Sequence, residues 1–157
     1  MPEAKIVVEH LYKIFGPAPA EALARVKAGT SKQSLLTEHG HVLGLADITL
    51  DIAGQEIFVV MGLSGSGKST LIRHFNRLIE PTEGAISIGG QDVLRLSRRD
   101  LEEFRRERMS MVFQRFGLLP HRTVLQNVGY GLAVRNLSRA DVYHKAMEWI
   151  EQVGLEG

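Results

Sequence analysis

The chain has 157 residues, 44% hydrophobic and 24% charged, with a net charge of +1 and no cysteine. So small a net charge argues against a nucleic-acid-binding role, and the lack of cysteine excludes a disulfide framework or a thiol metal site. Met1 to His10 mixes charges with its apolar residues and has no signal-peptide core, and no run approaches the ~18 apolar residues of a membrane span, so one cytosolic globular unit is expected.

The first predicted element is a strand at Ile6 to Leu11, followed by the aromatic-bearing turn Tyr12 to Gly16 and then Pro17 and Pro19. Two short helices follow. One covers Ala20 to Ala28 and is stopped by Gly29; the other opens at Thr30, with Gln33 three residues on as a capping box, and stops at Gly40. From Leu45 to Ile52 the apolar residues Ile48, Leu50 and Ile52 alternate with Asp47, Thr49 and Asp51, the pattern of a half-buried strand. Ala53-Gly54 turns the chain into the unbroken apolar run Ile57 to Met61, which reads as a buried strand.

That run leads into Gly62-Leu63-Ser64-Gly65-Ser66-Gly67-Lys68-Ser69-Thr70, which fits the phosphate-loop pattern G-x-x-x-x-G-K-[ST]. Behind it, Leu71 to Ile79 places apolar residues at helical spacing, giving the order of strand, loop and helix that the motif requires. The chemistry accounts for each residue type. Gly65 and Gly67 let the backbone curl so that its N–H groups converge on phosphate oxygens, where side chains would block the approach. Lys68 reaches the β and γ phosphates as a point charge and Ser69 offers a hydroxyl to Mg²⁺, while the helix starting there adds the positive end of its dipole. Gly62, Ser64, Gly65, Ser66, Gly67, Lys68, Ser69 and Thr70 are therefore the candidate residues for binding a nucleoside triphosphate with Mg²⁺, which the resemblance given below narrows to ATP.

Beyond the loop helix, Pro81 to Gly84 breaks the chain, Ala85 to Ile88 forms a short strand and Gly89-Gly90 turns it. Ser97 with Asp100 caps a helix reaching Glu107, and the strand Met109 to Phe113 follows with Gln114 at its end. Thr123 with Gln126 caps a helix through Val134, and Ser138 with Asp141 caps a last one through Val153, ended by Gly154. The arginines between Arg95 and Arg108 are interleaved with Asp100, Glu102, Glu103 and Glu107, which describes a solvated helix face rather than a nucleic-acid site. The six histidines lack metal-ligand spacing, and Met147, Trp149 and Ile150 read as core residues of the last helix.

The phosphate loop, together with Met111-Val112-Phe113-Gln114 and Leu119 to Val128, resembles the ATP-binding subunit of ABC transporters over the whole chain. Leu11 to Gly16, the helical insertion up to Val42, and Asn76 to Thr82 are similar, more narrowly, to the glycine betaine/proline betaine osmoprotectant importers. The resemblance implies an α/β P-loop fold with a sheet core around the loop strand, an antiparallel β portion and the start of an α-helical subdomain. On that reading 1–157 is the N-terminal part of one ATPase domain, with the P-loop core at 1–113, its insertion at about 17–41, and the helical subdomain starting at 114–157.

The same resemblance implies roles for single residues. Phe15 takes the place of the aromatic that stacks on adenine, with Tyr12 as the other candidate; Gln114 takes that of the glutamine contacting Mg²⁺ and the attacking water. Phe116, Leu118, Leu119 and Pro120 would form the apolar surface on which a transmembrane permease subunit docks. The family's L-S-G-G-Q signature, its catalytic Glu after an apolar strand ending in Asp, and its switch histidine do not occur before Gly157, so this span alone should bind weakly and hydrolyse hardly at all. The implied parent is a homodimeric ATPase, peripheral at the cytoplasmic face of the membrane, that drives permease subunits to import an osmolyte delivered by a separate binding protein. Rival readings are an amino-acid or other small-solute importer, a different P-loop enzyme such as a small-molecule kinase, and a non-catalytic nucleotide-binding fragment.

Overall fold

The computed structural model describes residues 4–113 and 117–155. The chain forms two compact units, Met1–Leu101 and Glu102–Gly157.

The first unit is built on a four-stranded antiparallel sheet ordered β2-β1-β3-β4, made of β1 (Ala4–Phe15), β2 (Val42–Ala53), β3 (Glu83–Ile88) and β4 (Gln91–Asp92). Both long strands exceed the expected spans because the aromatic turn continues the ladder: Lys13, Ile14 and Phe15 pair with Leu45, Leu43 and Val42. The β1–β2 register shifts between Val8 and Leu11, where His10 takes φ 47°, donates its amide to Thr49 Oγ1 at 3.0 Å and sets its ring Nδ1 2.7 Å from Asp47 Oδ1. On β2 the expected alternation holds, with Ile48, Leu50 and Ile52 half-buried and Asp47, Thr49 and Asp51 exposed. Val8, Leu11, Ile14, Leu45, Leu71, Ile86, Ile88 and Val93 supply the unit's buried apolar core.

Between β1 and β2 stand two helices, α1 (Pro19–Lys27) and α2 (Lys32–Thr37). Pro19 occupies the first turn of α1, where a missing amide costs nothing. The cap of α2 differs from the expected one. Ser31 rather than Thr30 is the N-cap, its hydroxyl accepting from the Ser34 amide at 3.0 Å, because Ser31 has the extended backbone (ψ 154°) that a cap needs. Ala22, Leu23 and Leu35 bury themselves against Ile14, with Tyr12, Val26 and Leu43 packed around them, so the insertion has its own small core on the end of the sheet. Lys27 ties α1 to β3 through an ion pair with Glu83, and that carboxylate holds the Lys27 ammonium pKa above its ordinary value.

One expectation fails here. Ile57 to Met61 is neither strand nor buried: Ile57 is 92% exposed and Met61 86%. A run that is apolar on both faces codes for a strand flanked by neighbours on both sides. No strand among the described residues pairs with it, so its backbone has no ladder to join. Met109 to Phe113 fails for the same reason, with no strand there and Val112 97% exposed.

α4 (Arg98–Arg108) begins under the expected cap, Ser97 Oγ accepting from the Asp100 amide at 3.2 Å and donating to its carboxylate at 2.7 Å, and its arginines mostly face solvent as expected. The second unit holds α5 (Val124–Val128), α6 (Tyr130–Val134) and α7 (Arg139–Gln152). Both expected caps form: Thr123 with Gln126 makes a full capping box, and Ser138 accepts from the Asp141 amide. The predicted single helix through Val134 is instead interrupted at the buried Gly129, where a Cβ would come within 2.8 Å of Val142 Cγ1 on α7, so the helices approach too closely there for any side chain. Of the expected core residues of α7, Ile150 is buried and Met147 half-buried, but Trp149 is 59% exposed: Ala146 and Ile150 define the inner face, and Trp149 falls outside it.

Candidate functional site

The phosphate loop leads directly into α3 (Lys68–Phe75), one residue earlier than the expected start. Gly67 is its N-cap with φ 95°, and no side chain caps the helix, so the first-turn amides face outward without a side-chain acceptor. A Cβ on Gly67 would lie 2.6 Å from the Gly44 carbonyl oxygen, which only glycine permits, and this close approach seats the loop against β2. Within the loop, the Ser66 amide donates to the Leu63 carbonyl at 3.2 Å and the Leu71 amide to that of Gly67 at 2.8 Å. The Lys68 ammonium lies along the loop, donating to the Gly62 and Leu63 carbonyls at 2.8 and 2.7 Å.

A cavity of about 220 Å³ opens in front of the loop. Gly65, Ser66, Gly67, Lys68, Ser69 and Thr70 form one side; Phe15, Val42, Leu43 and Gly44 from the facing ends of β1 and β2 form another. Lys32, the first residue of α2, completes the lining. Phe15 is 39% exposed, its ring against Gly44 and the Lys13 ammonium 5.1 Å from its centroid. Tyr12 is not part of the cavity; it packs on the insertion core beneath the Lys27 ammonium. Gly62 and Ser64 stand in the loop but outside the cavity lining.

The donor set fits a nucleoside triphosphate with Mg²⁺. Amides at a helix start, two lysines and an aromatic face converge, and no carboxylate lines the cavity among the described residues to repel phosphate. Those residues also include no cluster of three His, Cys, Asp or Glu able to hold a metal. Mg²⁺ usually needs only one or two protein ligands beside substrate phosphates, a part open to the exposed Ser69 hydroxyl. Since about 220 Å³ is less than the ~300–1,000 Å³ that encloses a drug-sized ligand, this cavity would cover only part of a nucleotide. Sequence reasoning missed Lys32, Val42, Leu43 and Gly44. The pairing of Phe15 with Val42 explains the last three, and only the packing of α2 reveals the first.

Behind the loop, His74 is buried. Its Nδ1 sits 2.7 Å from the Thr70 carbonyl, its Nε2 has no hydrogen-bond partner among the described residues, and burial pushes its pKa below the usual histidine value.

In the second unit, Leu118 and Pro120 are exposed and Leu119 is half-buried. The segment is held by Asn127, another residue the sequence reading did not single out. Its carboxamide oxygen accepts from the Leu119 amide at 2.7 Å, and its nitrogen donates to the carbonyls of Leu119, Arg122 and Thr123 at 3.2, 3.1 and 2.9 Å. Gln114 and Phe116 lie outside the described residues.

Glycine loop, helix start and facing aromatic together define a P-loop nucleotide-binding protein. The ABC transporter family model matches residues 45–157, and the chain belongs to that family. It is 47% identical over 152 residues to the glycine betaine/proline betaine transport ATP-binding protein ProV of Salmonella typhimurium, a match covering 97% of this chain and 38% of that protein. It is 46% identical to the glycine betaine/carnitine transport ATP-binding protein GbuA of Listeria monocytogenes (98% of this chain, 39% of that protein). Identity to the trimethylamine N-oxide transport ATP-binding protein TmoW of Ruegeria pomeroyi is 48% (97% and 44%). Among solved structures, the dimeric ATP-binding cassette MJ0796 in a post-hydrolysis state with ADP and Pi superposes with a TM-score of 0.75 at 27% identity, covering 96% of this chain and 58% of that one. The chain thus spans about two-fifths of the length of these curated relatives.

Proposed function

We propose that this chain is the nucleotide-binding part of the ATPase subunit of an ABC importer that takes up glycine betaine-type osmolytes. The observation that carries the reading is the single cavity bounded by the phosphate loop and Phe15. Loop amides and Lys68 would hold the β and γ phosphates, Lys68 exchanging its two carbonyl partners for phosphate oxygens, and Ser69 would offer its hydroxyl to Mg²⁺, an ion that when bound would supply charge neutralisation for phosphoryl transfer. Gly62, Ser64, Gly65, Ser66, Gly67 and Thr70 shape the loop around the phosphates, and Phe15 stacks on adenine. Gln114 orients the attacking water and reports nucleotide state to the permease.

The small cavity fits a site completed by a second copy of the subunit; one solved relative is a dimer with ADP and Pi. The exposed Leu118 and Pro120, braced by Asn127, suit docking of a permease subunit, with Phe116 beside them in the chain. No helix among the described residues is long and apolar enough to cross a membrane, in keeping with a peripheral subunit at the cytoplasmic face. The substrates for which the relatives are named, glycine betaine, proline betaine, carnitine and trimethylamine N-oxide, support a methylated-amine osmolyte, which a separate binding protein would recognise with aromatic residues around the cation.

The test is Lys68→Ala in the full-length protein, with ATP hydrolysis and ATP-dependent uptake of glycine betaine measured together. Both should be lost while the melting curve is kept. Unchanged uptake would refute the loop assignment, and ATPase activity without osmolyte uptake in the wild type would refute the substrate.

A further inference from the structure

We propose that Lys32, at the start of insertion helix α2, is a nucleotide-binding residue whose ammonium pairs with the polyphosphate of ATP. The inference rests on reading the loop cavity as the nucleotide site.

Three observations lead to it. Lys32 lines the same cavity as Gly65 to Thr70 although 36 residues separate it from Lys68, so the fold and not the motif brings it there. Its ammonium is uncommitted: among the described residues it makes no hydrogen bond or ion pair, whereas Lys13 donates to the Glu80 carbonyl at 2.7 Å, Lys27 pairs with Glu83, and Lys68 is bonded to the loop carbonyls. Among the described residues no carboxylate lines the cavity to neutralise it, so the described wall carries two lysines and no acidic residue. Two lysines lining one concavity raise the local concentration of a polyanion and favour its binding.

The side chain is also well based. Ser31 caps the helix that carries it, and one turn on, Leu35 is fully buried against the insertion core with Ile14 and Leu23. The stem of Lys32 therefore starts from a fixed point, and only its rotamers are ordered when phosphate arrives. A lysine suits this contact because phosphate needs a point charge there, with no planar fork to match. In this arrangement the insertion is part of the nucleotide site.

The experiment compares wild type, Lys32→Met, Lys32→Arg and Lys68→Ala in the full-length protein, measuring affinities for ATP, ADP and adenosine at two salt concentrations, with melting curves taken without nucleotide. Lys32→Met keeps the apolar stem and removes the charge. It should weaken ATP and ADP by about 3- to 10-fold, as expected for a partly exposed charge-assisted contact, leave adenosine unchanged, and flatten the salt dependence of ATP binding. Lys32→Arg should restore both affinity and salt dependence, and the melting curves should coincide. Equal weakening of adenosine, or ATP affinity and salt dependence as in the wild type, would overturn the proposal. If Lys68→Ala also bound ATP normally, the failure would instead lie in the reading of the cavity as the nucleotide site.

Discussion

Gly67→Ala is the substitution whose outcome the geometry determines most tightly. At φ 95° an L-residue sits in left-handed backbone, which costs about 1–2 kcal/mol. The new Cβ would also stand 2.6 Å from the Gly44 carbonyl oxygen and 3.0 Å from Leu45 Cδ2, and since the nearer atom is strand backbone it cannot swing aside, adding about 1–3 kcal/mol of overpacking. The loop can shed this strain by lifting off β2, but it then no longer aims the first-turn amides of α3 at phosphate. Most of the cost should therefore appear in binding: about 2–5 kcal/mol corresponds to at least ~30-fold weaker ATP affinity. Gly65→Ala is the internal control. At φ 76° with no atom within 4 Å of its Cβ, it pays the backbone term alone and should lose only about 5- to 30-fold. Titration of the full-length variants with a fluorescent ATP analogue, alongside thermal melts, separates the two. If Gly67→Ala bound ATP as tightly as Gly65→Ala, the contact with Gly44 would not be what positions the loop.

Phe15→Ala should weaken ATP binding by about 1–3 kcal/mol with little loss of stability, whereas Tyr12→Ala should destabilise the insertion and leave affinity nearly intact; paired binding and melting measurements decide, and the reverse pattern would exchange their roles. Gln114→Ala should bind ATP normally but slow hydrolysis and uptake in the full-length protein, and unchanged rates would count against a sensor role. His74 makes stability depend on pH. Its folded pKa is lowered, by burial first and by the Lys13 charge, against opposing effects of the Thr70 carbonyl and Glu80, so the unfolded chain takes up the proton more readily. Stability is then complete above the ordinary histidine pKa near 6.5 and declines as the pH falls below it. Denaturant midpoints should drop as the pH falls below about 6.5 in the wild type and less so in His74→Leu; parallel slopes in the two proteins would remove His74 as the cause.

Most local signals were legible in the sequence where one or two neighbouring residues decide the outcome, the cap of α2 at Ser31 instead of Thr30 being the exception. Thr123 with Gln126, Ser138 with Asp141, and Ser97 with Asp100 each start a helix because the cap is closed within one turn. The glycine-lysine loop was legible for the same reason, since its shape depends on its own glycines and the helix it opens. Ile57 to Met61 misled because its residues specify a strand only when neighbours flank it on both sides, and the described residues provide none. Trp149 misled because helical spacing defines a face but not its width, and the narrow contact through Ala146 and Ile150 leaves the indole outside. Lys32 was invisible because nothing in Ser31-Lys32-Gln33 announces a ligand contact; it follows from how Leu35 docks the helix.

The insertion between Phe15 and Val42 raises the question of how an aromatic interrupted by two helices can still serve the phosphate loop. The answer lies in the ladder. Phe15 and Val42, the residues flanking the insertion, are direct partners at the end of the β1–β2 pairing, so the chain leaves and re-enters the sheet at one point. Closing a loop of this size costs entropy that grows only slowly with length, and here Leu23 and Leu35 offset it by burial against Ile14 while Lys27 adds its tie to Glu83. At the base, His41 Nε2 bonds the Pro17 carbonyl, joining the outgoing and returning segments of the insertion directly. The two helices are thereby anchored at base, middle and side, and Phe15 stays paired with Val42 at the cavity. Because the same anchoring fixes where α2 begins, Phe15 and Lys32 are brought to the cavity by a single element, and loosening that element should weaken nucleotide binding without any change in the loop.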